Sequence, residues 1–215
     1  NNQEKNMKKR HLVYAIALIV GMGACAASAK KQAEAKPDVW KSYNVGTVLF
    51  EDKASETKGS DIYHRIIPDA ESYIKEQART VLATLYNSPE DSITPVNKIH
   101  YTLEDIEGIS AKGGGNGDVT IFYSTRHIEK SFAENDTAKL FFETRGVLLH
   151  ELTHAYQLEP QGIGSYGTNR VFWAFIEGMA DAVRVANGGF DGPNARPKVG
   201  NYMDGYRTAG SFFVW

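Results

Sequence analysis

Apolar positions along this chain recur in two rhythms, and each rhythm predicts an element. Val45 to Phe50 alternates like a short strand. Ile74, Ala78, Val81, Leu82 and Leu85 then recur every three or four residues, which predicts an amphipathic helix from Pro68 to Tyr86. Pro68 suits a helix start, and Asn87-Ser88-Pro89 stops the run. Strand-like patterns return at Lys98 to Leu103, in a shorter stretch from Ile109 to Lys112, and strongly at Val119 to Tyr123. Gly113 to Gly117 reads as a hairpin loop between the last two. A phosphate loop would end in Lys-Ser/Thr and open a helix, and this run does neither.

The second half is helical. A stripe of Leu140, Phe141, Thr144, Val147, Leu148, Leu152 and Ala155 predicts a helix from Asp136-Thr137 to about Leu158. A loop with Pro160, Gly162, Gly164 and Gly167 follows. The next helix spans Arg170 to Ala186, with Thr168 or Asn169 as its cap and Asn187-Gly188-Gly189 as its stop. A turn-rich stretch leads to Gly205, and a last apolar helix begins near Tyr206. Strands and a helix followed by helices suit an α+β domain.

Composition adds a destination. The 215 residues are 42% apolar and 23% charged, ordinary for one globular domain. The formal charge of -2 leaves no electrostatic footprint for nucleic acid. Lys8-Lys9-Arg10 follows Met7, an apolar run extends from Leu12 to Gly23, and small residues continue through Ala29. Those are the parts of an export signal, and the apolar run is short for a membrane-spanning helix. Ala27-Ser28-Ala29 fits cleavage before Lys30, the preferred reading. Gly23-Ala24-Cys25 also resembles the end of a lipobox, which would lipidate Cys25 and tether the protein to a membrane. Cleavage before Lys30 removes Lys5, Lys8, Lys9, Arg10 and Glu4 and takes the formal charge from -2 to -5. Cys25 is the single cysteine, so no internal disulfide forms. The expected organisation is residues 1–29 as upstream residues and signal, 30–44 as a spacer, and 45–215 as the domain. Secreted, periplasmic or surface-bound protein is expected, as a monomer.

Candidate chemistry sits at His150-Glu151-Leu152-Thr153-His154. Two histidines four apart on a helix project from one face and can meet one ion. Glu151 beside them is rotated toward the same opening, where it can reach a metal-activated water. Two His ligands and a Glu base are the arrangement of a zinc hydrolase. A catalytic zinc needs a third protein ligand. Glu177, on the next helix in Phe175-Ile176-Glu177-Gly178-Met179-Ala180-Asp181, is the best candidate. Asp181, one turn further on the same face, is placed to accept the second ring proton of a ligand histidine, most plausibly His150. The small residues Gly178, Ala180 and Ala182 suggest that this helix lies close to the histidine helix. A helix with two surface histidines would leave the matched Glu/Asp pair unexplained. A third histidine six residues after His154 would fall at Pro160, so the three-histidine pattern is absent. The Glu-x-x-x-Asp spacing is similar to thermolysin-like peptidases.

With these residues the sequence resembles the basic secretory proteins, the peptidases of plants and bacteria. The resemblance runs through the Pro68 helix, Gly108 to Ala111, Val119 to Ser124, His150 to Gln157, Ile176 to Arg184, and Gly205 to Ala209. It implies a zincin-like fold: a small mixed sheet with a backing helix, an active-site helix and a second helix carrying the third zinc ligand. It also implies proteolysis, with His150, Glu151, His154 and Glu177 as site residues. Two departures stand out. The mature chain is acidic rather than basic, and the match stops partway through a helix, which suggests a truncated domain.

Tyr206 is a candidate to polarise the scissile carbonyl, with Tyr166 and Tyr202 as weaker competitors. His64, His100 and His127 lack ligand spacing. Glu104, Asp105 and Glu107 read as a solvated turn. A polypeptide substrate is expected to lie along Ile109 to Lys112 as an added strand. Two other readings stay open: a non-catalytic zinc protein that binds a peptide or polymer, and a zinc hydrolase acting on a non-peptide amide. Glu151, which is not needed to hold zinc, argues for catalysis.

Overall fold

The computed structural model describes residues 38–131, 137–190 and 199–214. The export segment Met7–Ala29, Cys25 and the spacer as far as residue 37 lie outside them, as do Asp136 and Trp215.

Four strands form one mixed sheet: β1 (Thr47–Asp52), β2 (Lys98–Glu104), β3 (Ser110–Gly115) and β4 (Asp118–Ser124), in the order β1-β2-β4-β3. β1, β2 and β4 are parallel, and β3 pairs antiparallel with β4 at the edge. Register sets Val48 beside Ile99, Ile99 beside Val119, Tyr101 beside Ile121, and Leu103 beside Tyr123. These alternate residues are buried, whereas Leu49 on the other face is exposed. One face of the sheet therefore carries the core, as a period of two requires. A parallel pair needs a long crossover. Between β1 and β2 it is supplied by α1 (Lys58–Ile66) and α2 (Ala70–Leu85).

β1 starts two residues later than the sequence pattern suggested. Gly46, in the left-handed region at φ 86°, interrupts the extended chain after Val45, and pairing with β2 then carries the strand to Asp52. The glycine run also divides differently. Gly113 to Gly115 are strand, held by the β-favouring residues of β4, and only Asn116-Gly117 turns. Both turn residues have positive φ, 53° and 84°, the requirement of a two-residue hairpin that follows the sheet twist.

The helix α2 is capped by Asp69, whose carboxylate accepts from the Ser72 amide at 3.0 Å; Pro68 stands just before the cap. Two short helices have no counterpart in the sequence pattern. α1 carries Gly59, a poor helix former, in its first turn, and α3 (Thr125–Ser131) spans only two turns and buries little beyond Ile128. α1 is amphipathic, burying Ile62 and Tyr63 and exposing Asp61, His64 and Arg65, whereas α3 is too short to display a periodicity. Gly59 exists for their contact, because a Cβ there would collide with Thr125.

α4 (Thr137–Tyr156) crosses the core with Leu148, Leu149 and Leu152 fully buried against Ile74, Leu82 and the sheet. It ends at Tyr156, and Leu158 is exposed. Phe141, placed in the buried stripe by its spacing, is 38% exposed and packs at the rim against Tyr73. α5 (Arg170–Ala186) is capped by Asn169, which accepts from the amides of Val171 and Phe172. A 3-10 turn (Tyr202–Asp204) leads into α6 (Tyr206–Phe213). No helix among the described residues is long and apolar enough to cross a membrane.

Gly178 does not serve the approach of α5 to α4. It faces α6, where an added Cβ would lie 2.7 Å from Ala209 Cβ and 3.0 Å from the Phe213 ring. Gly210 approaches Gly178 and Ala182 from the other side. Gly146 on α4 provides the close approach to α5, directly against the Arg184 guanidinium. Gly178→Val therefore overpacks the α5–α6 contact and is expected to cost about 1–3 kcal/mol. Denaturant unfolding reads this as a lower midpoint at constant slope. An unchanged midpoint would mean that the two helices are not packed together here.

Candidate metal centre

The helices α4 and α5 bring His150, His154 and Glu177 together. His150 Nε2 lies 3.1 Å from His154 Nε2, and Glu177 Oε2 lies 3.2 Å and 3.7 Å from the two nitrogens. Ligand atoms bound to a tetrahedral zinc at 2.0–2.2 Å stand about 3.3 Å from one another, so this spacing fits such an ion. The imidazole planes are almost perpendicular, at 88°. Among the described residues, these three form the one His/Cys/Asp/Glu group that could hold a metal.

Each ligand has a polar partner behind it. Asp181 Oδ1 sits 2.8 Å from His150 Nδ1, the pairing its place on α5 suggested. This fixes the His150 tautomer with Nε2 toward the ligand cluster. The Tyr166 hydroxyl donates to Glu177 Oε1 at 2.5 Å, so Oε2 is the oxygen left facing the histidines. Gln157 lies 2.7 Å from His154 Nδ1. Tyr166, ranked behind Tyr206 by sequence, thus binds a ligand side chain. Nothing local marks it, because the loop that carries it has no periodicity.

The electrostatics favour a cation. Burial disfavours the His150 charge, yet hydrogen bonds to Asp181 and Glu177, with the nearby carboxylate charges, push its pKa up to about 9. The same carboxylates would attract a metal ion. Burial, helped by the positive charge of His150, lowers His154 to about 4, which leaves its lone pair available at neutral pH. Burial raises Glu177, but hydrogen bonds from His150 and Tyr166 outweigh it and keep the carboxyl below its ordinary range.

Glu151 lies outside the ligand set, as the helix geometry requires. It is buried, and burial pushes its pKa up, opposed by the His150 charge and by the polar groups of Ser110 and Lys112 nearby. Edge strand β3 therefore faces this carboxylate across the cleft. The sequence pattern did not foresee that placement.

Tyr206 is 49% exposed, stacks on His150 at 6.1 Å between ring centroids, and meets Trp173 edge-on at 5.4 Å. Its φ of 44° is uncommon for a residue with a side chain and costs about 1 kcal/mol or more. Gly205, pressed against the Trp173 ring, sets up that turn. Tyr202 is exposed, packs on Phe212 and is not among the cleft-lining residues.

The cleft holds about 780 Å³ and is lined by Ile109 to Lys112, the ligand cluster, Glu151, Tyr166 and Tyr206. One wall is Arg184, which binds Glu143 at 2.7 Å, stacks over Phe190 and holds the Gly189 carbonyl. An apolar hollow of about 490 Å³ behind Leu158, Phe175 and Phe213 is lined by no carboxylate or imidazole, Tyr86 being its one titratable side chain, so the first cleft is the candidate for chemistry. Among the described residues, the remaining histidines pair with single carboxylates: His64 with Asp52, His100 with Glu51, His127 with Glu143. Glu104, expected in a solvated turn, instead ends β2 half-buried and binds Lys53, while Asp105 and Glu107 just beyond the strand hold Arg126.

The family model for BSP, described as peptidase of plants and bacteria, matches residues 45–215. No curated protein and no solved structure matches the chain.

Proposed function

This chain belongs to the BSP family, the peptidases of plants and bacteria, and we propose that it is a zinc-dependent metallopeptidase of zincin-like fold. The observation that carries the reading is the ligand spacing: three donor atoms 3.1–3.7 Å apart, with a fourth side open to a cleft that also contains Glu151. Two imidazoles and a carboxylate are donors that suit zinc and leave a position for water or substrate. Zinc held there supplies Lewis acidity to a water and to a carbonyl oxygen.

The chain's own groups perform the rest. Glu151 takes the proton of the attacking water and passes it to the leaving amine. Its raised pKa suits both halves of that task, because a carboxyl closer to neutrality accepts and releases protons more readily. Tyr206, exposed over His150, is placed to donate to the carbonyl oxygen as negative charge develops. Asp181 holds the orientation of His150.

An extended peptide fits the free edge of β3. Ile109 O accepts from Ser124 N at 2.9 Å, so by antiparallel alternation the peptide groups of Ser110 and Lys112 point away from β4, toward the cleft. A substrate strand added there would run past Glu151 and the ligand cluster. The export-signal pattern of Met7–Ala29 supports an activity outside the cytoplasm, after cleavage before Lys30 or lipidation at Cys25.

The test is metal content. The folded protein should take up about one zinc per chain, read by native mass spectrometry or elemental analysis. Folded protein that stays empty after zinc is added removes the proposal.

A further inference from the structure

Two of the three ligands have a partner that selects the ligating atom. Asp181 holds Nδ1 of His150, and Tyr166 holds Oε1 of Glu177. His154 has Gln157, the next turn of chain beyond it. Gln157 is 7% exposed, and one amide atom lies 2.7 Å from His154 Nδ1. As placed, that atom is Nε2, and the amide oxygen is buried with no partner.

Two nitrogens facing each other at 2.7 Å constrain the protons. An amide nitrogen only donates, so Nδ1 would have to accept and the ring proton would sit on Nε2. Nε2 is the atom that faces His150 and Glu177. A proton there removes the lone pair a metal needs. With the amide turned end for end, Nδ1–H donates to Oε1 and Nε2 is free. Either orientation leaves one buried amide atom unpaired, so that cost does not choose between them. The demand on Nε2 does.

We propose that Gln157 is the positioning residue of His154: its side-chain oxygen accepts the Nδ1 proton and thereby fixes the ligating tautomer. The inference rests on the metal-site reading above. Gln157 touches neither water nor substrate in this role; it acts through His154, as outer partners of metal-bound histidines do.

Zinc affinity, measured by competition with a chromogenic chelator, tests it together with histidine ring NMR of the zinc-loaded protein. Gln157→Leu removes the acceptor at similar size. Affinity is expected to fall about 10–100-fold while circular dichroism stays that of the parent. Gln157→Glu keeps an acceptor and should bind zinc at least as tightly as the parent. In the parent, His154 should carry its proton on Nδ1, hydrogen-bonded and slow to exchange. Unchanged affinity in Gln157→Leu overturns the proposal, as does Gln157→Glu binding as weakly as Gln157→Leu. Should Gln157→Leu fail to fold, the tautomer in the parent decides: protonation at Nδ1 supports the role and protonation at Nε2 excludes it. A parent that takes up no zinc overturns both this role and the metal site, whereas a zinc-binding parent with a contrary Gln157 result overturns this role alone.

Discussion

Glu151→Gln should leave zinc content and fold intact while peptide hydrolysis falls by about 10²–10⁴-fold, the range ascribed to general acid–base catalysis. The substitution is nearly isosteric. The glutamine fills the same buried space facing Ser110 and Lys112 of β3. No ligand is touched, because Glu151 stands outside the His150, His154 and Glu177 set. Only the capacity to take a proton from water is lost. Steady-state cleavage of a peptide library by parent and variant, both loaded with zinc, is the measurement. A variant that keeps the parent rate would show that Glu151 is not the base. A zinc-loaded parent that binds peptides but cleaves none across a broad library would point instead to a peptide-binding protein of the same fold.

Glu177→Ala should behave in the opposite way and lose the metal itself. Among the described residues, Glu177 Oε2 is the one carboxylate oxygen within 3.7 Å of both histidine nitrogens. Removing an outer partner weakens metal binding about 10–100-fold, and loss of a direct ligand should exceed that. Two further contacts go with it. The Tyr166 hydroxyl loses its acceptor, and the histidines lose the negative charge that helps raise His150. Chelator competition on Glu151→Gln and Glu177→Ala side by side separates the roles, since only the second should show weaker binding. Equal zinc affinity in Glu177→Ala and parent would mean that the third ligand lies elsewhere.

The two variants also separate what local pattern encodes from what packing adds. His150, Glu151 and His154 were legible because a helix converts a four-residue interval into a shared face, whatever surrounds it. The same rule put Glu177 and Asp181 on one face of α5. The core strands were legible from alternation, and the hairpin from its glycines. α1 was not read because Gly59 and Ser60 in its first turn mask a short amphipathic pattern, and α3 because seven residues give too few turns for a period to emerge. Phe141 fits the buried interval of α4, yet it sits where the helix face meets the rim of the domain.

Tertiary structure alone decided the remainder of the site. Tyr166 reaches Glu177 from a loop without periodicity, and Ser110 and Lys112 face Glu151 across the cleft from a strand some forty residues earlier in the chain. Gly178 looked like a contact to the histidine helix, but α6 occupies that side, and Gly146 serves the α4–α5 approach instead. The sequence by itself determined which donors the protein has and on which helices they lie, because helical geometry depends only on near neighbours. The fold determined the 3.1–3.7 Å spacing of those donors and the partner behind each one, because those depend on how α4, α5 and the sheet edge pack across long intervals of chain.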